Sequence, residues 1–186
     1  DIKYVDQNGD HVINGDDRIV TGNDVPYFNY GLNASLSYKG FDLAAIGQGV
    51  SGVKVYLANE ASQAFFNGAG VKEYVLGRWT AEKPDPNAVY PRVLRSAANS
   101  QNLQLSSFWL FNADYFRIKS LSLGYTVPDR VLQKVRIRGL RIYLSSNNPF
   151  TIRGDKKMKD FDPESASTRA AYPQLKSYSL GINLTL

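Results

Sequence analysis

The last ten residues alternate without a break: Tyr178, Leu180, Ile182, Leu184 and Leu186 fall on one face, and Ser177, Ser179, Gly181, Asn183 and Thr185 on the other. Side chains of a strand point to opposite faces with period two, so this segment is one strand with an apolar face and a face of small polar groups. The same pattern fills Phe28, Tyr30, Leu32, Ala34, Leu36 and Tyr38, interleaved with Asn29, Gly31, Asn33, Ser35 and Ser37. A soluble sandwich accommodates such strands. Small polar groups toward water, opposite an aromatic-tipped apolar face toward lipid, over about ten residues describe a transmembrane barrel strand.

Five strands are predicted, at 27–38, 41–50, 115–127, 140–150 and 177–186. Lys39 and Gly40 make a tight hairpin turn between the first two. The connection 51–113 is too long and varied for a turn, with a helical pattern at 59–66, a Gly-rich break at 68–70 and a Pro-rich passage at 83–91. Pro128 suits a first helical position in the compact connection 128–139, and 151–173 is a further loop. Short and long connections alternate, which predicts periplasmic turns at Lys39 and 128–139 and extracellular loops at 1–26, 51–113 and 151–173. Parity slips in the third strand, where Tyr115, Arg117 and Lys119 share the phase of the lipid-facing Leu121; a bulge, or an exit from the bilayer above Ser120, would restore it. Five strands cannot close a barrel, which needs about eight, and an open edge in lipid leaves backbone groups unpaired. The remaining strands belong to residues outside this chain.

Composition narrows the chemistry. There is no cysteine, which removes thiol catalysis and thiolate metal sites, and no apolar run approaches the roughly 18 residues of a spanning helix. Residue 1 falls inside a motif with no signal peptide ahead of it, as in a mature chain or a fragment. The net charge of +5 is scattered apart from Arg130, Lys134, Arg136, Arg138 and Arg141. These read as a solvated turn, without the exposed stacking aromatics of a nucleic-acid surface.

Asp6, Asn8, Asp10, Val12, Asn14 and Asp17 fall at positions one, three, five, seven, nine and twelve of a calcium loop, where side-chain oxygens and one backbone carbonyl replace the water around a hard cation. His11 stands where the sharp turn calls for Gly, and the twelfth position carries Asp instead of Glu. An Asx-rich turn, its carboxylates capping backbone amides without metal, has the same residues. His11 is the only histidine, so it has no partner for transition-metal or triad chemistry.

Taken in order, Asp1-Ile2-Lys3-Tyr4, the acidic loop, Asn29-Tyr30-Gly31-Leu32-Asn33, Tyr38-Lys39-Gly40-Phe41-Asp42-Leu43, Arg78-Trp79-Thr80, Ser107-Phe108-Trp109-Leu110, Asp114-Tyr115-Phe116-Arg117-Ile118-Lys119, Leu123-Gly124-Tyr125-Thr126-Val127-Pro128, Asn147-Asn148-Pro149-Phe150-Thr151, Phe161-Asp162-Pro163-Glu164 and Tyr172-Pro173-Gln174 resemble the C-terminal part of SusC/RagA-type TonB-dependent outer-membrane transporters of Bacteroidetes. The resemblance spans residues 1–186. It departs from the family at His11, where Gly is usual, and at Leu186, where Phe is usual. It implies a barrel of about 22 strands holding an N-terminal plug, capped by a SusD-type lipoprotein, and importing glycans or peptides with energy from TonB. This chain would then be an all-β, antiparallel transmembrane segment supplying the last five strands, with an acidic calcium-type loop at 1–26 and a long outer loop at 51–113. The expected partners are the lipoprotein, outer-membrane lipid, a glycan or peptide substrate, and the TonB complex through the N-terminal region; no nucleic acid is expected.

Trp79 and Trp109 are the candidate contacts to substrate or lid, with burial the more economical expectation for large aromatics. The rival reading is a soluble calcium-binding carbohydrate or adhesion module, in which those rings stack on sugars. No enzyme is expected: Asp42, Glu60, Glu73 and Glu82 have no spacing that fixes a catalytic carboxylate pair. Arg153-Gly154-Asp155 in its polar loop is read as coincidence, and the sequons at Asn33 and Asn183 lie within strands and carry no weight.

Overall fold

The computed structural model describes residues 1–59, 62–94, 101–133, 137–165, 172 and 174–186. They contain the strands β1 (Phe28–Tyr38), β2 (Phe41–Ser51), β3 (Lys54–Tyr56), β4 (Leu110–Asn112), β5 (Tyr115–Thr126), β6 (Gly139–Asn147), β7 (Thr151–Arg153) and β8 (Ser177–Thr185), and one short helix, α1 (Asp129–Leu132). No described helix is long and apolar enough to cross a membrane, which says nothing of strands. The chain divides into two compact units. One comprises Asp1–Val25, Val53–Ala113 and Asp155–Tyr172; the other comprises Pro26–Gly52, Asp114–Gly154 and Pro173–Leu186.

The second unit is an antiparallel sheet in the order β1-β2-β5-β6-β8, with β7 pairing the first part of β5. Lys39 (φ 47°) and Gly40 (φ 89°) form the β1–β2 turn, both in the left-handed region that a two-residue hairpin of matching twist requires. Register aligns Leu36, Leu43, Leu123, Leu144 and Leu180 in one row across five strands. Every residue of β1 is exposed, as is nearly all of β8, so this sheet exposes its apolar face instead of burying it.

The parity slip resolves as a bulge. Ile46 pairs with Ser120, but Gly47 pairs with Ile118, so Lys119 takes the extra position of the bulge on β5. Phe116 and Ile118 thereby join the apolar face while Tyr115 and Arg117 turn to the other. The predicted fourth strand stops at Asn147 because Asn148 takes φ 50°; the ladder resumes as β7 after the amide of Asn148 donates to the Lys119 carbonyl.

Two helical expectations shift. Pro128 is the N-cap of α1, with extended ψ of 140°, and the helix starts at Asp129. At 59–66, of which 60 and 61 lie outside the described residues, one turn closes at the Asn59 carbonyl, and Phe65 (φ 62°) then breaks it. The Tyr90 hydroxyl accepts from the Ala64 amide and donates to the Ser62 carbonyl, taking backbone groups that a helix would pair. Glu60, Lys134, Arg136 and Pro173 also lie outside the described residues.

The first unit has the core. Val75, Tyr90 and Trp109 are buried together, with Ile2, Tyr56, Ala64, Tyr74, Val93, Leu103 and Phe108 packed around them. β3 pairs with β4 beside this cluster.

Candidate functional site

The apolar face of the sheet carries two aromatic levels. At the end nearest the long connections, Tyr30 and Phe116 stack in parallel at 6.2 Å. Gly47 and Gly49 leave room for them: a Cβ at Gly47 would lie 2.5 Å from the Phe116 ring, and one at Gly49 equally close to Tyr30. At the turn end, Phe41 and Tyr125 meet at 4.6 Å beside Tyr38. Between the levels lie Leu, Ile and Ala. From Phe28 to Tyr38 a tilted strand rises about 25 Å, the height of an outer-membrane apolar band.

The two levels also give the tilt. Tyr178 on β8 shares a row with Ser146, Leu121, Ala45 and Ala34, four residues along from Tyr30. Placing Tyr178 at the membrane level of Tyr30 requires, over four strand spacings of about 4.8 Å and four residues of about 3.4 Å, a tilt of about 35°, which membrane barrels adopt.

The opposite face carries Asn29, Asn33, Ser35, Ser122, Ser145, Gly181 and Asn183, the lumenal side of the prediction. One feature there was not anticipated. Arg141 on β6 reaches across β5 to Asp42 on β2, its Nε donating to Oδ1 at 3.0 Å and Nη2 to Oδ2 at 2.6 Å. Gly124 between them makes the reach possible, since a Cβ there would stand 2.5 Å from both partners. The Arg141 guanidinium also lies 5.0 Å from the Tyr143 ring centroid. Both charges sit at lumenal parity beside the tight turns, which was the available signal.

The acidic loop is an interlocked set of amide caps. Asp6 accepts from the amides of Gly9 at 2.6 Å and His11 at 2.8 Å. Asn8 accepts from Asp10, and Asp10 from Val12. Asn14 caps the short 3-10 turn at Gly15–Asp17, and Asp17 closes the loop by accepting from Gln7 at 2.7 Å and Asn14 at 2.8 Å. The amide of Asn14, then that of Gln7, holds the Asp17 carboxyl below its ordinary pKa. His11 adopts φ 65°, the left-handed geometry expected of Gly at this position. The donor set fits a hard cation in type and order, all oxygen. Among the described residues, however, no three acidic, His or Cys groups converge on a metal-sized centre.

Trp109 is 1% exposed, a core side chain. Its Nε1 donates to the Asn102 carbonyl at 2.8 Å, and its ring meets Tyr90 and Phe108 edge-on. Tyr74 bridges Tyr90 to Phe161. Burial raises the Tyr74 hydroxyl well above its ordinary pKa, with the neighbouring Tyr90 and Asp160 adding to it, so this phenol stays neutral. Buried Asn102, which the sequence reading did not single out, accepts from the Ile2 amide at 2.8 Å and donates to Asp1, which also takes a bidentate pair from Arg92. Trp79 is half-buried and lines a cleft of about 1250 Å³ walled by residues of 1–21, 85–91 and 104–110, with Tyr56.

An antiparallel sheet with an exposed apolar side that carries two aromatic levels, and a polar opposite side, has the features of the class of outer-membrane β-barrels. Within that class the chain is similar to TonB-dependent receptors of Formosa agariphila. It is 28% identical to receptor P26 over 200 residues, covering 98% of this chain and 19% of the receptor. It is 23% identical to receptor P3 over 194 residues, covering 97% and 18%. Solved structures agree. The RagAB peptide importer in the open-open state matches with a TM-score of 0.65 at 26% identity, over 98% of this chain and 20% of that one. The RagAB peptide transporter matches in fold with a TM-score of 0.67 at 24% identity, over 93% and 19%. No protein-family model matches. These likenesses support a segment of a SusC/RagA-type TonB-dependent transporter, a class resident in the bacterial outer membrane. The chain spans about a fifth of the length of its curated relatives.

Proposed function

We propose that this chain forms five strands and three outer loops of a transporter that imports glycans or peptides together with a SusD-type lipoprotein, powered by the TonB complex through the whole protein's N-terminal region. The barrel has about 22 strands in this reading, and neighbouring strands cover the free edges of β1 and β8. The observation that carries the proposal is the outward row Leu36-Leu43-Leu123-Leu144-Leu180 between two aromatic levels. A soluble carbohydrate module would have to leave that row in water. The relatives are named as receptors and importers, and the chain is read as non-catalytic.

Calcium at Asp6, Asn8, Asp10, Asn14 and Asp17, with the Val12 carbonyl, is part of the proposal and has a structural role in it. Each amide-capped carboxylate oxygen keeps a second lone pair for a cation. Trp79 serves as the contact to lid or substrate, and Trp109 supports it from the core.

The test uses the whole protein in its native outer membrane. Expected are extraction only with detergent, co-purification of the lipoprotein, and uptake of labelled oligosaccharide or peptide that stops when the proton gradient is collapsed. An intact protein that is soluble without detergent and has neither partner nor uptake overturns the reading. Calcium titration followed by calorimetry, with Asp10→Ala as the control, tests the loop: equal heats from both proteins remove the metal.

A further inference from the structure

We infer that the turn end of the sheet binds headgroups of an anionic phospholipid of the periplasmic leaflet, one at Lys39 and one at Arg138. This rests on the transporter reading and names the lipid class that the lower rim of the sheet selects. A tilt of about 35° moves the membrane level by about one residue per strand. Ile142 on β6 shares the row of Tyr38 on β1, three strands away. The level of Tyr38 therefore falls on β6 three residues further toward the turns, at Gly139. Lys39 and Arg138 are each the next residue beyond that line. Two cations from different turns thus stand at one depth, just outside the lower aromatic level, where long basic side chains reach the headgroup phosphates.

Both cations stand on the apolar side. The Lys39 Nζ lies 5.2 Å from the ring centroid of Tyr38, which is exposed on that side. Arg138 is exposed and falls at the parity of Leu140 and Ile142, its amide donating to the Thr185 carbonyl at 2.9 Å. Charge is sorted between the two sides of the sheet. Arg141, at lumenal parity, is neutralised by Asp42 through two hydrogen bonds. Among the described residues neither Lys39 nor Arg138 forms an ion pair. The connection 128–139 has four basic residues against one carboxylate, Asp129, so the potential at this rim is positive. A lipid phosphate accepts from an Arg fork and from a Lys ammonium alike, whereas a zwitterionic headgroup adds a cation that both repel. Up to three strand spacings of about 4.8 Å separate the two residues, more than the Debye length of about 8 Å at physiological salt. Each therefore acts on its own headgroup.

The experiment uses the whole receptor purified with its lipoprotein and reconstituted in vesicles of phosphatidylcholine and phosphatidylglycerol, three to one. A photo-crosslinking residue replaces Phe41, which pairs with Tyr38, or Leu184, which pairs with Leu140, and mass spectrometry identifies the captured lipid. Phosphatidylglycerol is expected at both positions about fivefold above its share of the bilayer, the scale of one cation at a membrane surface. Lys39→Gln should remove the enrichment at 41 and leave it at 184, and Arg138→Gln should do the reverse. Lys83→Gln, an equal change of net charge within 51–113, should alter neither. Capture in the bulk ratio, loss at both positions in either variant, or preferential capture of lipopolysaccharide added to the vesicles would overturn the inference. Native mass spectrometry of lipid retained on the receptor without a crosslinker repeats the comparison where a photo-crosslinking variant does not fold. Membrane insertion and lipoprotein co-purification, scored on the unsubstituted receptor, separate the two failures. If they hold and no enrichment is found, only the headgroup inference falls; if they are lost, the transporter reading falls and takes the inference with it.

Discussion

Replacing Ile182 by Lys, against Asn183 by Lys, tests the sidedness of the sheet at a single point on the chain. Ile182 is 65% exposed on the apolar face, in a row with Ile142, Tyr125, Phe41 and Tyr38. With a strand tilt of about 35°, that row descends across the sheet relative to the membrane plane. The row meets the lower aromatic level at Tyr38 on β1, but on β8 it lies midway between Tyr178 and Leu186. Ile182 is thus near the bilayer midplane, where Lys on the lipid face costs about 2–4 kcal/mol. That is a loss of roughly 30- to 1,000-fold in the folding equilibrium. Asn183, one residue on, faces the lumen, and Lys there should change stability by less than about 0.5 kcal/mol. The assay is urea titration of the whole receptor in lipid vesicles, followed by the heat-modifiable mobility of the folded barrel. Equal losses for the two variants would refute both the facing and the tilt.

Three smaller predictions follow from local geometry. Gly124→Val places atoms where Asp42 and Arg141 now meet, and overpacking of this kind costs about 1–3 kcal/mol; the same urea titration should show it, and Asp42→Ala combined with Gly124→Val should recover part of the loss. His11→Gly removes a left-handed non-Gly residue and should stabilise the acidic loop by about 1 kcal/mol, seen as slower amide exchange at positions 9 and 11. Because the folded Asp17 pKa lies below the unfolded value of 3.8, its contribution is complete above that value and is lost as pH falls through the lower folded pKa. Exchange at the Gln7 and Asn14 amides should therefore accelerate below about pH 4, relative to a reference loop amide; acceleration between pH 7 and 5 would contradict the assignment.

The strands were legible because alternation is local and lipid leaves no ambiguity about which face is which. Even the bulge at Lys119 announced itself as a break in parity, since a one-residue slip moves every later side chain to the other face. The 59–66 segment misled for a tertiary reason: its spacing is helical, but the Tyr90 hydroxyl supplies competing partners and Phe65 takes a left-handed turn. The Asp42–Arg141 pair depends on the register of three strands, which no single segment encodes. Asn102 joins Ile2 to Trp109 over 100 residues of sequence, and such contacts have no period to read. The acidic spacing was complete in sequence, yet the amide caps it forms are common to a calcium loop and to an Asx turn.

A sheet that turns its apolar residues outward contributes little core of its own, so the buried side chains of this chain concentrate elsewhere. Leu57, Val75, Tyr90, Trp109 and Phe161 all belong to the first compact unit, whose rings touch in sequence from Phe161 through Tyr74, Tyr90 and Trp109 to Phe108. The sheet is held instead by strand pairing and, in its intact barrel, by lipid. These two sources of stability are physically separate, and deletion should separate them. Replacing 53–113 with a short Gly-Ser linker removes Trp79, Trp109 and most of the core, yet leaves β1, β2, β5, β6 and β8 and their register untouched. The barrel should still insert and keep its heat-modifiable mobility, while co-purification of the lipoprotein and substrate uptake are lost. Loss of insertion would show that the loop core is needed to form the sheet; unchanged lipoprotein affinity with normal uptake would show that the loop serves neither lid nor ligand.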